Sequence, residues 1–126
     1  GPPHGWALDG TEPWLPWPPE PERRNARALR DDPGSILHLY RRLLALRRGS
    51  AALRRGSLEL LDAGPDVLAY RREADGEVAT ALVNFADEPR PAPLLDRSRV
   101  LLSTEAAGAG EAGTLAAGEA VVCSVA

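Results

Sequence analysis

Residues 32–49 constrain the fold more than any other stretch of this chain. At 100° per residue, Ile36, Leu37, Leu39, Tyr40, Leu43, Leu44 and Leu46 cover one half of a cylinder. His38, Arg41, Arg42 and Ala45 cover the other half. Asp32 is placed to cap such a helix, Pro33 suits its first position, and Gly49 marks its stop, so a helix is expected over 33–48. An apolar half-cylinder of this width needs a large surface to bury it. Arg47 alone breaks the pattern, falling inside the apolar half. One reading makes it a last-turn cation favoured by the helix dipole, with its head in water. The other makes it a buried guanidinium that satisfies carbonyls or a carboxylate at a domain junction. The residue types by themselves leave these two open.

After the helix the periodicity changes to that of strands. Ser57–Leu61 and Val67–Arg72 flank the turn Ala63-Gly64-Pro65-Asp66, and Asp75-Gly76 is a strong hairpin signal before Glu77–Phe85. That last run is apolar on both faces, which predicts a central strand. Weaker strands are expected at Arg90–Leu95, Arg99–Ser103 and Ala120–Val125, with the Ala/Gly-rich Ala106–Gly118 as a loop. The fold class expected is mainly β: an antiparallel β-sandwich or meander of about six to eight strands, preceded by a loop and one amphipathic helix.

Residues 1–33 read as that loop. Seven of the twelve prolines lie before residue 22, together with Trp6, Trp14 and Trp17. Proline removes backbone donors and holds its neighbour extended, while large aromatics in an irregular segment imply that the segment packs on something. The core must be mostly aliphatic, since aromatics are 5% of the 126 residues and there is no Met. A net charge of −3 argues for no highly charged partner. All fifteen basic residues are Arg, a bias that points to a GC-rich genome more than to any chemistry.

Few residues carry signals of chemistry. The single cysteine, Cys123, excludes an intramolecular disulfide and sits in the apolar run Val121-Val122-Cys123, where a small buried side chain is expected. There is no phosphate-binding glycine loop, no metal-ligand spacing and no nucleophile elbow, so no cofactor or metal is expected. His4 and His38 lie on different elements, and His38 falls on the polar side of its helix. Asp31 and Asp32 precede the helix, where capping is the expected role; adjacent carboxylates do not flank a glycosidic bond from opposite sides. Residues 23–55 hold ten Arg against two acids, but the helix arginines lie on the face that water normally solvates, and the β half carries no basic, aromatic-studded strand. Neither nucleic acid nor membrane is therefore an expected partner. No stretch approaches the ~20 apolar residues of a spanning helix, and no targeting peptide is recognised, which predicts a cytoplasmic protein.

Trp14-Leu15-Pro16 and the run from Asp32-Pro33-Gly34-Ser35-Ile36-Leu37 through Tyr40-Arg41-Arg42-Leu43-Leu44-Ala45-Leu46-Arg47 resemble a known family. They are similar to the last barrel segment of α-glucosidases and oligo-1,6-glucosidases of the α-amylase superfamily. The likeness continues in order through Ala52-Leu53-Arg54-Arg55-Gly56, Val67-Leu68-Ala69-Tyr70-Arg71-Arg72 and Leu82-Val83-Asn84-Phe85, and fades after about residue 90.

The resemblance implies that residues 1–55 end a catalytic (β/α)8 barrel and that residues 56–126 form the C-terminal β domain. It implies double displacement at an α-glucosidic bond, by an Asp nucleophile and a Glu acid/base with a second Asp, all upstream of Gly1. No catalytic residue is therefore assigned in this chain, which should be inactive alone. Gly5-Trp6 matches a Gly–aromatic pair near the sugar cleft of relatives, which makes Trp6 the one substrate-binding candidate, against plain packing on the barrel rim. An Arg closes the corresponding helix beside the β domain in relatives, which favours the junction role for Arg47. The partners implied are the barrel and, through it, an α-glucoside. Without a barrel, the helix face would be expected to fold onto the β domain or to pair in a homodimer. A stand-alone carbohydrate-binding module and an Arg-rich nucleic-acid binder are the alternative readings.

Overall fold

Short helices need their ends satisfied from outside, because one or two turns cannot repay the cost of nucleation. The helical part of this chain is organised by that requirement. The computed structural model describes residues 14–16, 19–105 and 113–125, and divides the chain into two compact units, Gly1–Tyr40 and Arg41–Ala126.

In the first unit, α1 (Ala26–Arg30) is capped by Asn25, whose Oδ1 accepts from the Ala28 amide at 2.9 Å. The Asn25 Nδ2 donates back to the carbonyls of Pro21 and Glu22 at 2.9 and 2.7 Å, which locks the approach to the helix. At the other end of α1, the Ser35 hydroxyl donates to the Leu29 carbonyl (2.7 Å) and His38 Nε2 lies 2.9 Å from the Arg30 carbonyl. A carbonyl only accepts, so the His38 proton sits on Nε2. His38 is thus half-buried and bonded, where the sequence predicts a solvated ring.

The next helix, α2 (Ile36–Gly49), begins three residues later than expected. Asp32 is not its cap. The Asp32 carboxylate accepts from the Gly34 amide at 2.9 Å, an Asx turn that holds the chain off the helical path until Ser35. The Ser35 carbonyl then takes the first helical bonds, from His38 and Leu39, both at 3.1 Å.

In the second unit, α2 ends at Gly49 and a further turn, α3 (Ala51–Arg55), follows. Seven strands are described: β1 (Glu59–Leu61), β2 (Val67–Ala74), β3 (Glu77–Asn84), β4 (Arg90–Pro91), β5 (Ser98–Ser103), β6 (Thr114–Leu115) and β7 (Ala120–Val125). Five of them make an antiparallel sheet in the order β1-β2-β3-β7-β5, with β3 central as its two-sided apolar pattern predicts; β4 and β6 pair separately. Asp75 and Gly76 have φ of 54° and 77°, and Ala74 pairs with Glu77, so the β2–β3 hairpin closes on a two-residue type I′ turn.

The expected strand at Arg90–Leu95 is corrected to two residues, followed by a 3-10 helix at Pro93–Arg97. Pro91 and Pro93 lack the amides that a longer ladder would use. The expected loop at Ala106–Gly118 contains β6, whose Leu115 pairs with Arg90; residues 106–112 lie outside the described ones. The core lies between the large sheet and this smaller layer: Val67, Ala69, Leu82, Val121 and Cys123 meet Ala92 and Leu115, with Leu61, Ala63 and Leu95 packed around them. Cys123 is buried there as expected, and burial pushes its thiol pKa up against an opposing hydrogen bond with Ser98.

One end of the sheet is held by a polar knot. The side chain of Asn84, which is 1% exposed, donates to the carbonyls of Glu88 (2.9 Å) and Ala116 (2.8 Å) and accepts from the Ala86 amide (2.9 Å). Buried Glu119 accepts from the Ser103 hydroxyl at 2.7 Å and from the Ala116 amide at 2.8 Å. Arg90 ties the neighbouring loops, donating to Asp66 at 2.9 Å and to Glu88 at 2.6 Å.

A candidate docking surface and the joint beside it

Strand register sorts the side chains of the sheet onto two faces. Leu61, Ala69, Leu82 and Val121 are paired across the sheet and point into the core. One residue along each strand, Leu60, Tyr70, Ala81, Val122 and Leu102 form a second row on the opposite face. Leu68 and Val83 form the next pair on that face. A sheet that is apolar on both sides needs a layer on each. Here the second face is covered at one end, where α3 packs with Ala52 fully buried. Toward the other end Leu60 is 71% exposed and Leu68 is 39% exposed, and Phe85, the residue after β3, is 70% exposed. Burying a fully exposed side chain of this kind contributes about 1.5–3 kcal/mol, so Leu60 and Phe85 would gain most of that and Leu68 less than half.

Helix α2 shows the same deficit. It has no buried residue, and Ile36, Tyr40, Leu43 and Leu44 all stand exposed. The helix face expected to seek a partner is therefore present and uncovered among the described residues.

Beside the covered end of the sheet lies a joint that sequence reasoning missed. The Glu77 carboxylate, at the start of β3, accepts from the Ala51 amide at 2.7 Å and from the Ala52 amide at 3.4 Å. A hydrogen bond from Ser50 is the largest influence holding the Glu77 carboxyl below its ordinary pKa; burial opposes it and the two amides add to it. Ser50 Oγ in turn accepts from the Leu53 amide at 3.1 Å as the cap of α3. At the opposite end of α3, Arg72 of β2 donates to the carbonyls of Leu53 (2.9 Å) and Gly56 (2.7 Å), with a longer contact to Ser57 (3.4 Å). Arg55 pairs with Asp75 of the hairpin turn. Gly56 is compulsory, because a Cβ there would stand 2.4 Å from the Ala52 carbonyl oxygen.

Arg47 takes no part in this. It is exposed, and among the described residues its guanidinium has no hydrogen-bond partner. The arginine that satisfies backbone carbonyls here is Arg72, which reaches those of Leu53 and Gly56 from the sheet and not from the end of α2. The Leu-Ala-Tyr-Arg-Arg run held that signal, since a second Arg in a half-buried strand needs acceptors, but its distance from α3 in sequence concealed the partners. Trp6, like Gly5 and His4, lies outside the described residues.

A cleft of about 910 Å³ opens on the core side of the β unit, walled by Pro65, Val67, Leu82, Pro91, Pro93 and Leu94. No aromatic ring is among the described residues that line it. Among the described residues no three His, Cys, Asp or Glu side chains gather as a metal site requires, and no helix is long and apolar enough to cross a membrane.

The family model described as "Domain of unknown function (DUF3459)" matches residues 53–123, and the chain belongs to that family. Its relatives extend the resemblance to the C-terminal portion of α-glucosidases of the α-amylase superfamily. The chain is 37% identical over 83 residues to an oligo-1,6-glucosidase of Halalkalibacterium halodurans, covering 65% of this chain and 15% of that protein. It is 36% identical over 81 residues to a probable alpha-glucosidase of Rhizobium meliloti, covering 64% and 15%. Among solved structures, the trehalulose synthase MutB of Pseudomonas mesoacidophila aligns with a TM-score of 0.77 and 32% identity, over 91% of this chain and 22% of that one. The chain thus spans about 15% of the length of the curated relatives it matches. The β architecture is that of the C-terminal domain in such enzymes.

Proposed function

We propose that this chain is the non-catalytic C-terminal part of a retaining α-glucosidase, in which it stabilises a catalytic barrel. In this reading residues 1–55 complete the barrel, with α2 as its last helix, and residues 56–126 form the β domain. The observation that supports it is the outer sheet face, with Leu60, Leu68 and Val83, which is apolar and, among the described residues, covered at the α3 end alone. A barrel packed on that face and on α2 would meet the unmet burial of both. The catalytic carboxylates would then come from the barrel, and α-glucosides of the maltose type would be its substrates. The cytoplasm is the proposed compartment.

Trp6 is the one residue proposed to meet the sugar. In the intact enzyme Trp6→Ala should raise KM with little effect on kcat; an unchanged KM removes the stacking role and leaves rim packing. The proposal as a whole is tested by the mass of the native gene product and the activity of the chain alone. Since 83 residues are 15% of the relative, the intact protein should have about 550 residues. A product of that size, together with no turnover of p-nitrophenyl α-glucoside by the 126-residue chain, is the expected result. A native product of 13.4 kDa, or turnover by the chain, would overturn it.

A further inference from the structure

Helix α3 has five residues, too few to hold itself together, yet side chains from outside it bond both of its ends. Besides its local caps, the Ser50 hydroxyl and the Gly56 amide, the groups that engage them come from one place, the β2–β3 hairpin. Glu77 takes two amides at its start, Arg72 takes two carbonyls at its end, and the Glu73 carbonyl accepts from the Ser57 amide at 3.0 Å just beyond. The two charged residues match the helix ends by sign, anion at the amide end and cation at the carbonyl end. Because α3 leads from the end of α2 to β1, whatever fixes α3 fixes where the chain enters the sheet.

From this geometry we infer that Glu77 and Arg72 form an ionic clamp that makes the α2–β1 connection a rigid joint, and that protonation of Glu77 opens its N-terminal half. Three bonds at that end go to the carboxylate, from the Ala51 and Ala52 amides and from Ser50, while the Leu53 amide is held by the Ser50 Oγ itself. The other charged groups on the elements packed around Glu77 are Arg54 and Arg55 of α3, Arg71, Arg72 and Glu73 of β2, and Asp75 of the turn, of which Asp75 is paired with Arg55. The folded-state pKa of Glu77 is depressed, so its contribution is complete above the unfolded value of about 4.3 and is lost as pH falls through the lower folded value. The joint is therefore closed at neutral pH and loosens only in acid.

The test is nuclear magnetic resonance on the full 126-residue chain. The Ala51 amide proton, donated to a carboxylate, should shift with pH along a single titration curve whose midpoint lies below the ordinary glutamate value. In Glu77→Gln that titration should vanish. The exchange protection of the Ala51 and Ala52 amides should fall about tenfold, because a neutral acceptor is roughly half as strong, while the Leu82 and Val121 amides keep theirs. Arg72→Lys, which keeps the charge but not the fork, should speed exchange at Gly56 and Ser57 and leave Ala51 unaffected. A flat Ala51 shift in the wild type, an unaltered titration in Glu77→Gln, or an equal loss of protection at all sites would each overturn the clamp.

Discussion

Asn84 offers the sharpest test of how the β unit holds together. Its amide side chain is buried at the end of β3 and serves three loop groups: the carbonyls of Glu88 and Ala116 and the amide of Ala86. Asn84→Ala strands all three. A lost partner costs about 1–3 kcal/mol when the orphaned group stays out of water, and these groups are only part-buried, so a total near 3 kcal/mol is expected. At roughly 4–8 °C per kcal/mol for a unit of this size, Tm should fall by about 12–24 °C. Asn84→Asp separates packing from bonding, because it keeps the shape but turns two donors into a charged acceptor facing two carbonyls. Its loss at pH 7 should be at least as large. Those carbonyls disfavour the anion, so the folded-state pKa of the new carboxyl must lie above the unfolded value of about 3.9. The variant should then regain stability as pH falls through the folded value, where the protonated carboxyl can donate once. Urea unfolding followed by far-ultraviolet circular dichroism between pH 4 and 7 measures both. A loss below 1 kcal/mol in Asn84→Ala, or a pH-independent loss in Asn84→Asp, would refute the reasoning.

Arg47→Ala should change stability by less than about half a kcal/mol, as for other solvated surface positions; a loss above 1 kcal/mol in urea unfolding would restore a buried role for it. Gly56→Ala should cost about 2 kcal/mol or more, because its Cβ meets the Ala52 carbonyl at 2.4 Å and the Glu73 backbone at 3.0 Å, neither of which can yield as a side-chain tip would; thermal melting near the wild-type temperature would contradict this. Native Cys123 should react with an aromatic disulfide reagent only as fast as the unit unfolds, since its thiol is buried and its thiolate disfavoured; rapid stoichiometric labelling would mean that the core opens locally.

Much of the β unit was legible because short-range chemistry dictates it. Asp75-Gly76 supplies two positive φ angles at the turn, which sets the β2–β3 register, and the two-sided apolar run that follows could only be central. The edges were less legible for an equally local reason. Arg90–Leu95 alternates like a strand, but its prolines leave a ladder of two residues and a 3-10 turn. The Asp32 cap failed because a carboxylate can serve either a helix amide or the amide two residues on, and sequence does not rank the two. The candidate docking surface was half visible: the apolar stripe of α2 stands out in the sequence, whereas the outer face of the sheet appears only once the register is known.

What the sequence determined by itself, then, is the amphipathic helix, the hairpin, the order of strands along the chain and the resemblance to a glucosidase C-terminus, all carried by residues within a few positions of one another. Tertiary structure alone decided the rest. It brought Glu77 to the amide end of α3, 26 residues away from Ala51, and Arg72 to the carbonyl end, and it left Arg47 in solvent. It also joined Asn84 to Ala116 across 32 residues. Charged and amide side chains are satisfied by whichever partner the fold delivers, so their roles are set by proximity in space, which local patterning does not encode.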